Sequence, residues 1–476
     1  MTTNQSAMNA NAQRPGLVRD LGKWASIAIV VGTMIGTGIY LKPSEMAADA
    51  GSVGIVYAAW IVGGMLSLFG ALAYAELGAA IPEAGGEYAY LSRSFGPSVG
   101  FLFGWTHSIV ARPASAASIA AGLLRFCAFL VPALAAPMHT FDFNYGFLGA
   151  TRHFHFEFSW MQPLAVVALF AITGLNYLGV KFGGRIQVGL TIIKVASVIA
   201  IIFAGFALSK GGGTPMRPLF SSSGASVGMM GAFLAAMAAA LWAYDGWEDL
   251  NLVGSEVANP EKNMQRALVW GVLTVAIIYI FFNAVCFYVL PFANVAQSQH
   301  VASDVLARFA GSRAAQLVTL AMVISALGSL NSSILSGARV DYAMARDGLF
   351  FRSLASIHPK FRTPGAALLF QAILASLMAL SGTFEDLTSL FIFAGWIFYG
   401  LATVGLFRLR YTEPDMPRPY RCWGYPWVPG LFVLGAAALT INLWIDRPLR
   451  CTMGLVLMFF GLFFYRHWKK TAAGII

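Results

Sequence analysis

Long apolar runs dominate the chain, broken at intervals by short charged or Pro/Gly-rich stretches. They fall near 24–49, 54–80, 98–131, 161–178, 187–208, 230–255, 267–291, 313–342, 363–381, 387–407, 428–445 and 451–466. A hydrocarbon core about 30 Å thick asks for about 20 apolar residues per helix, so the pattern predicts about twelve membrane spans. An even number places both ends of the chain on one side. Lys and Arg choose that side, because cytoplasmic loops carry an excess of them. With the N-terminus inside, the inner segments hold 20 of the 31 basic residues and the outer segments nine, while Arg112 and Lys194 fall within predicted spans. Both termini are therefore predicted in the cytoplasm, with the protein in the plasma membrane.

Composition narrows the class further. Of 476 residues 58% are hydrophobic and only 11% charged, and the mean hydropathy is +0.68. A soluble domain carries about 25% charged residues, so the lipid bilayer is the first partner the sequence implies. The net charge of +10 is spread too thinly for a nucleic-acid binder, and none is predicted. Cys127, Cys286, Cys422 and Cys451 form no CxxC pair and read as buried thiols, so no metal or cofactor is expected. The polar residues before Lys23 carry no cleavage pattern, so the first run is read as a retained helix.

Two spans are interrupted. The first reads Gly32-Thr33-Met34-Ile35-Gly36-Thr37-Gly38-Ile39-Tyr40, and the sixth Leu241-Trp242-Ala243-Tyr244-Asp245-Gly246-Trp247-Glu248. Each break lies near the middle of its run, and the two are five spans apart. The sixth span follows an odd number of further crossings, so it runs opposite to the first. Paired, glycine-broken spans in corresponding positions of two halves point to a transporter's binding site. The predicted organisation is a cytoplasmic tail (1–23), a first five-helix repeat (24–208) and an external loop (209–229). An inverted second repeat (230–407), a cytoplasmic loop (408–427), two further helices (428–466) and a tail (467–476) complete it. The fold class is thus all-α integral membrane.

Glycines around Thr37 let the helix unwind, and unwound backbone at membrane depth is tolerated only where it is buried or lines a cavity. Freed N–H groups at the positive end of a half-helix suit a carboxylate, and freed carbonyls suit an ammonium. An α-amino acid carries both on one carbon. The candidate substrate residues are accordingly Thr33, Met34, Ile35, Gly36, Thr37 and Gly38 of the first span, with Trp242, Ala243, Asp245 and Gly246 of the sixth. The competing reading makes Gly32-xxx-Gly36 a helix-packing face. Asp245 is expected at the site or paired with Arg112, while Glu248 and Asp249, a turn further on, are expected to face cytoplasmic water. Trp242 suits a gate over the bound side chain. Lys194, about 10 Å into the fifth span at 1.5 Å per residue, must meet carbonyls or a carboxylate unless it snorkels. Placed between the first and eighth helices, its ammonium would replace a coupling sodium ion. Arg112-Pro113 joins a charge to a kink in mid-span.

These residues resemble the amino acid–polyamine–organocation superfamily, and within it the L-type amino acid transporters, from about Leu21 to Gly430. The resemblance is carried by Gly32 to Tyr40 and by Ile81-Pro-Glu-Ala-Gly-Gly-Glu-Tyr. It extends through Trp242 to Trp247 with Glu256-Val-Ala-Asn-Pro-Glu-Lys-Asn, then Ser329-Leu-Asn-Ser-Ser-Ile-Leu-Ser-Gly-Ala-Arg and Tyr342-Ala-Met-Ala-Arg-Asp-Gly. It implies inverted five-helix repeats and sodium-independent exchange of amino acids. By position, the amides of Thr37 and Gly38 would meet the substrate carboxylate. The carbonyls of Met34, Trp242, Ala243 and Asp245 would meet its amine, and Lys194 would be the sodium-replacing lysine. The family more often has Phe at the position of Trp242 and a neutral residue at that of Glu248. Animal members bond a glycoprotein subunit through an external cysteine; segment 132–160 has none, so no disulfide-linked subunit is expected.

Other classes fare worse. Tyr244-Asp245-Gly246 lacks the partner motif of an intramembrane aspartyl protease. Gly224-Ala-Ser-Val-Gly228 fits Gly-x-Ser-x-Gly without a strand-to-helix elbow. A sensor would carry an output domain for which the tails are too short. His139, His153 and His155 lack carboxylate partners and read as solvated loop rather than metal site. Among transporters, the alternative is a proton-coupled symporter of cationic amino acids or polyamines, suggested by Asp245, Glu248 and the buried lysine.

Overall fold

The alternation of apolar runs and breaks becomes a bundle of helices. A computed structural model describes residues 17–147, 150–214, 219–220, 228–381, 384–446 and 448–472. The predicted tail 1–16, the last residues 473–476 and most of Gly224–Gly228 lie outside the described residues. Among the described residues nine helices are long and apolar enough to cross a membrane, and three shorter apolar helices accompany them. Every predicted run thus has its helix.

The first span comprises α1 (Lys23–Met34) and α2 (Gly38–Ala50), separated by the predicted break. Helix α3 (Val53–Ala80) follows, then the short α4 (Glu87–Phe95) and α5 (Pro97–Leu130). Within α5 the residues His107–Ala111 form a π-helical turn immediately before Arg112-Pro113, an extra residue inserted where the proline withholds its backbone donor. Helices α6 (Met161–Tyr177) and α7 (Val180–Leu208) complete the first half. In the second half, α8 (Gly228–Ala243) and the short α9 (Asp249–Leu252) flank the other break. Then come α10 (Pro260–Val289), α11 (Phe292–Gln297) and α12 (Val301–Arg346), bent at Gly311, whose φ of 81° is the left-handed region. Helices α13 (Gly365–Ser381), α14 (Phe384–Thr412), α15 (Trp427–Asp446) and α16 (Pro448–Ala472) end the chain.

Segment 132–160 departs from the expected loop. It forms an antiparallel hairpin, β1 (Pro137–Phe147) and β2 (Ala150–Ser159), whose register pairs Phe141 with Phe156 and Phe143 with Phe154. Apolar and polar residues alternate along both strands, the two-residue period of a sheet. The side chains of His153 and His155 lie outside the described residues.

Burial sorts the helices. In the most apolar window of the first span 72% of residues are buried, against 17% in the last. The first span therefore runs through the middle of the bundle and α16 along its edge, leaving rings such as Phe463 to lipid. Charges are paired near the start of α1 and the end of α3. Arg339 Nε donates to Glu256 Oε1 at 2.7 Å, both fully buried, and the Leu21 N–H donates to the Glu256 carbonyl at 2.9 Å. Glu76 of α3 accepts from Arg410 Nη2 at 2.5 Å and from the Cys422 N–H at 2.6 Å. These contacts fasten the start of α1 to the segment beyond α9, and α3 to α14.

Candidate functional site

The two breaks meet in the middle of the bundle. Helix α1 stops because the Gly36 N–H turns back to the Met34 carbonyl at 2.9 Å, a tighter closure than the helical bond. Helix α2 restarts with its own first amides free: among the described residues those of Thr37, Gly38 and Ile39 meet no backbone carbonyl. The Thr37 hydroxyl is also buried without a partner. On the other side, Gly246 adopts φ +103°, which L side chains rarely enter, and its N–H donates to Glu248 Oε2 at 3.1 Å. Glycine is required at Gly38 for space. A Cβ there would stand 3.0 Å from Ala243 Cα and 3.1 Å from Trp242 Cζ3, so a side chain would wedge the breaks apart.

Between them lies a narrow cavity, with about 40 Å³ of room for the centres of water-sized molecules. Its wall includes Thr33, Met34, Gly36, Thr37 and Gly38 from the first span and Trp242, Ala243, Asp245 and Gly246 from the sixth. Nine of the ten candidate residues therefore line one space. Ile35 does not: its side chain is fully buried and its carbonyl turns the other way, toward Lys194. A single water occupies about 10–15 Å³ by this measure, so the cavity holds a few waters, and a large side chain would require the helices to part. Lys42 Nζ of α2 lies 5.0 Å from the Trp242 ring centroid, over a cavity-lining aromatic.

Lys194 reaches from α7 into the heart of the bundle rather than toward an aqueous surface. Its Nζ donates to the Gly32 carbonyl at 2.6 Å, to the Ile35 carbonyl at 2.7 Å and to Ser329 Oγ of α12 at 3.2 Å. Three oxygens thus take the three protons of the ammonium, the satisfaction a fully buried charge demands. The ammonium ties the unwound part of the first span to the eighth.

The acidic residues depart from one expectation and from one alternative. Glu248 and Asp249 do not face water; they are 1% and 0% exposed. Arg112 pairs not with Asp245 but with Asp249, Nη2 to Oδ1 at 2.5 Å and Nη1 to Oδ2 at 3.3 Å. The physical reason is the break itself. Residues 244–248 leave the helical rise, so counting turns from Asp245 misplaces the side chains that follow. Asp245 stays on the cavity wall, and the Tyr399 hydroxyl of α14 stands 3.2 Å from its Oδ1 and 2.8 Å from Glu248 Oε1.

Sequence reading missed several wall residues. Arg112, Ser115 and Ile119 of α5 and Ser329 of α12 complete the cavity. Tyr279 of α10 donates its hydroxyl toward the Met34 carbonyl at 2.5 Å and the Ala243 carbonyl at 2.9 Å, joining the two breaks. Arg112 stood out in the sequence as a mid-span charge and Ser329 through the resemblance motif, though neither was assigned to the wall; a tyrosine in an apolar run carries no such signal.

Two interrupted helices enclosing a polar cavity inside an all-α bundle of apolar helices define the class: a multi-pass membrane transporter. The amino acid permease family profile matches residues 21–463, and the chain belongs to that family. It is 33% identical to the serine/threonine exchanger SteT of Bacillus subtilis (strain 168), over 96% of this chain and 98% of that one. It is 32% identical to the b(0,+)-type amino acid transporter 1 of Mus musculus, over 97% and 91% of the two chains. With the human cystine/glutamate transporter the identity is 31%, over 97% and 89%. The family and these relatives are transporters of amino acids.

Proposed function

We propose that this protein is a carrier, not an enzyme, which exchanges L-amino acids across the plasma membrane by alternating access without sodium. One observation carries the reading. Thr37 and Gly38, whose amides meet no backbone carbonyl among the described residues, line one small cavity together with Trp242, Ala243 and Asp245 of the sixth span, a match for the two charged groups of an α-amino acid. In this reading the amides hold the carboxylate, the carbonyls of Met34, Trp242, Ala243 and Asp245 hold the amine, and Trp242 gates the side chain. The ammonium of Lys194, held by Gly32, Ile35 and Ser329, supports sodium independence, since it fills the place between the first and eighth spans with a fixed cation. Both termini are assigned to the cytoplasm, the five-helix repeats to 24–208 and 230–407, and no disulfide-linked subunit is invoked.

The test is purified protein in liposomes. Labelled amino acid is expected to enter only when unlabelled amino acid is inside, at the same rate with sodium or choline outside. A pH gradient across empty vesicles is expected to drive none. Uptake into empty vesicles driven by protons would transfer the assignment to the symport alternative. The gate has its own prediction. Trp242→Ala removes the aromatic wall, and apparent affinity for large side chains is expected to fall about tenfold, roughly 1.4 kcal/mol, with little change for glycine or alanine. An equal loss for all substrates would remove Trp242 from that role.

A further inference from the structure

A knot of carboxyl groups surrounds the sixth-span break, with one cation among them. Asp249, Glu248 and Glu87 are 0–1% exposed and Asp245 forms part of the cavity wall. Arg112 is the cation, and both of its Nη groups are engaged by Asp249. His107 adds no charge: its Nε2 accepts from Arg112 Nε at 3.3 Å, so the ring is neutral. Among the described residues the other three carboxyl groups make no ion pair of their own and share Arg112 only at a distance, in a water-poor interior where an uncompensated carboxylate costs several kcal/mol or more.

The hydrogen bonds leave a place for one shared proton. Tyr399 has one hydroxyl proton, yet its oxygen lies within hydrogen-bond distance of Asp245 Oδ1 and Glu248 Oε1. If both carboxyls were ionised, one of those contacts would have no proton in it. With one proton on Glu248, the acid donates to Tyr399 Oη and Tyr399 donates to Asp245. With it on Asp245, both donations reverse. Moving between these states shifts one proton across the hydroxyl, breaking and forming two O–H bonds and leaving tyrosine neutral.

A second observation stands apart from the carboxyl pair. The Tyr74 hydroxyl of α3 and Glu87 Oε2 of α4 are buried without a partner, and both lie within electrostatic reach of Glu248. Tyr74 packs edge-on against Tyr399, with ring centroids 6.4 Å apart. Among the described residues these two orphaned polar groups lie within electrostatic reach of the acid, and together they offer a polar route on which a proton carrier such as water could be held. Glu87 opens α4, in the connection between the second and third spans that the proposed topology places in the cytoplasm.

We propose that Asp245, Tyr399 and Glu248 form a proton-binding site, reached from the cytoplasm past Glu87 and Tyr74, whose proton competes with the substrate's amine. An ammonium beside Asp245 favours two ionised carboxyls, so the shared proton leaves as substrate arrives and returns as it departs. Each leg of an exchange cycle carries substrate, so no net proton crosses. Affinity, however, falls in acid. The inference rests on the amino-acid reading for its ligand, but the proton site itself can be tested without one.

Substrate-free protein at neutral pH is expected to show an infrared carboxylic C=O band that shifts in D2O and is lost in Glu248→Gln. No such difference would overturn the site, whatever the protein transports. With an amino acid that exchanges in liposomes as the probe, adding it to weakly buffered protein is expected to release about one proton per molecule bound. Apparent Kd is then expected to rise about tenfold per pH unit on the acid side, as linkage requires. Glu248→Gln, whose amide can donate to Tyr399 permanently, is expected to abolish the release and flatten the pH profile. Tyr399→Phe, which keeps the ring and breaks the relay, supplies the same comparison should the first variant fold poorly. A wild-type affinity independent of pH, or a Glu248→Gln profile identical to the wild type, would refute the competition.

Discussion

Lys194→Ala is expected to reduce exchange at least about a hundredfold, roughly 2.7 kcal/mol, while the protein still purifies as a folded species. The ammonium is the common donor to two carbonyls of the unwound first span and to a hydroxyl of α12. Without it the carbonyls of Gly32 and Ile35 lose their charged donor and keep only the hydroxyls of Ser329 and Ser325, and a hydrogen bond from a charged group is worth about 1.5–3 kcal/mol. That cost falls on the stretch that presents Thr37 and Gly38 to the cavity, so the loss should appear in transport before global stability. Lys194→Met separates cause from cavity: it keeps most of the volume and removes only the charge and donors. Flux should be measured with and without sodium, because the vacated oxygens are suitable ligands for a small cation. Partial recovery of Lys194→Ala in sodium would show that the lysine holds a cation's place. Normal flux without sodium would show that it is ordinary packing.

The second large effect is on stability. Arg112→Met should lower unfolding free energy by about 3–5 kcal/mol, because it leaves Asp249 buried with no opposite charge. The pair joins α5 to α9 across 137 residues of sequence, and Ser333 of α12 also binds the guanidinium at 3.2 Å. Arg112→Met with Asp249→Asn removes the charge and its partner together, and most of the lost stability should return. A double variant no more stable than Arg112→Met would mean that guanidinium packing against α12, not charge, holds the junction. The readout is the thermal unfolding midpoint in detergent, compared with exchange in liposomes.

Legibility followed a simple division. The helices were readable because hydropathy and the break-making glycines are local: about 20 apolar residues announce a span wherever it packs. The hairpin at 137–159 is equally present as a two-residue alternation, but its polar and histidine-bearing positions read as solvated loop. Gly38 and Asp245 were found because a flexible residue and a charge are conspicuous among aliphatic neighbours. Tyr279 was not, since its contribution is one hydroxyl pointing at two carbonyls, 245 and 36 residues away. Glu248 was placed on the wrong side because helical periodicity was carried through a stretch that is no longer helical.

The sequence alone therefore determined a multi-pass bundle, two interrupted spans in matching positions, and most of the residues around the space between them. All of this follows from properties each segment has by itself: solubility in lipid, rise per residue and backbone freedom at glycine. Tertiary structure alone decided which charges meet, that Arg112 holds Asp249 while Asp245 and Glu248 share a tyrosine, and which oxygens, those of Gly32, Ile35 and Ser329, take the protons of Lys194. Those partners lie far apart along the chain, and their distances are fixed only when the helices pack. In a medium without water to satisfy a stray charge, that packing settles what each polar side chain can do.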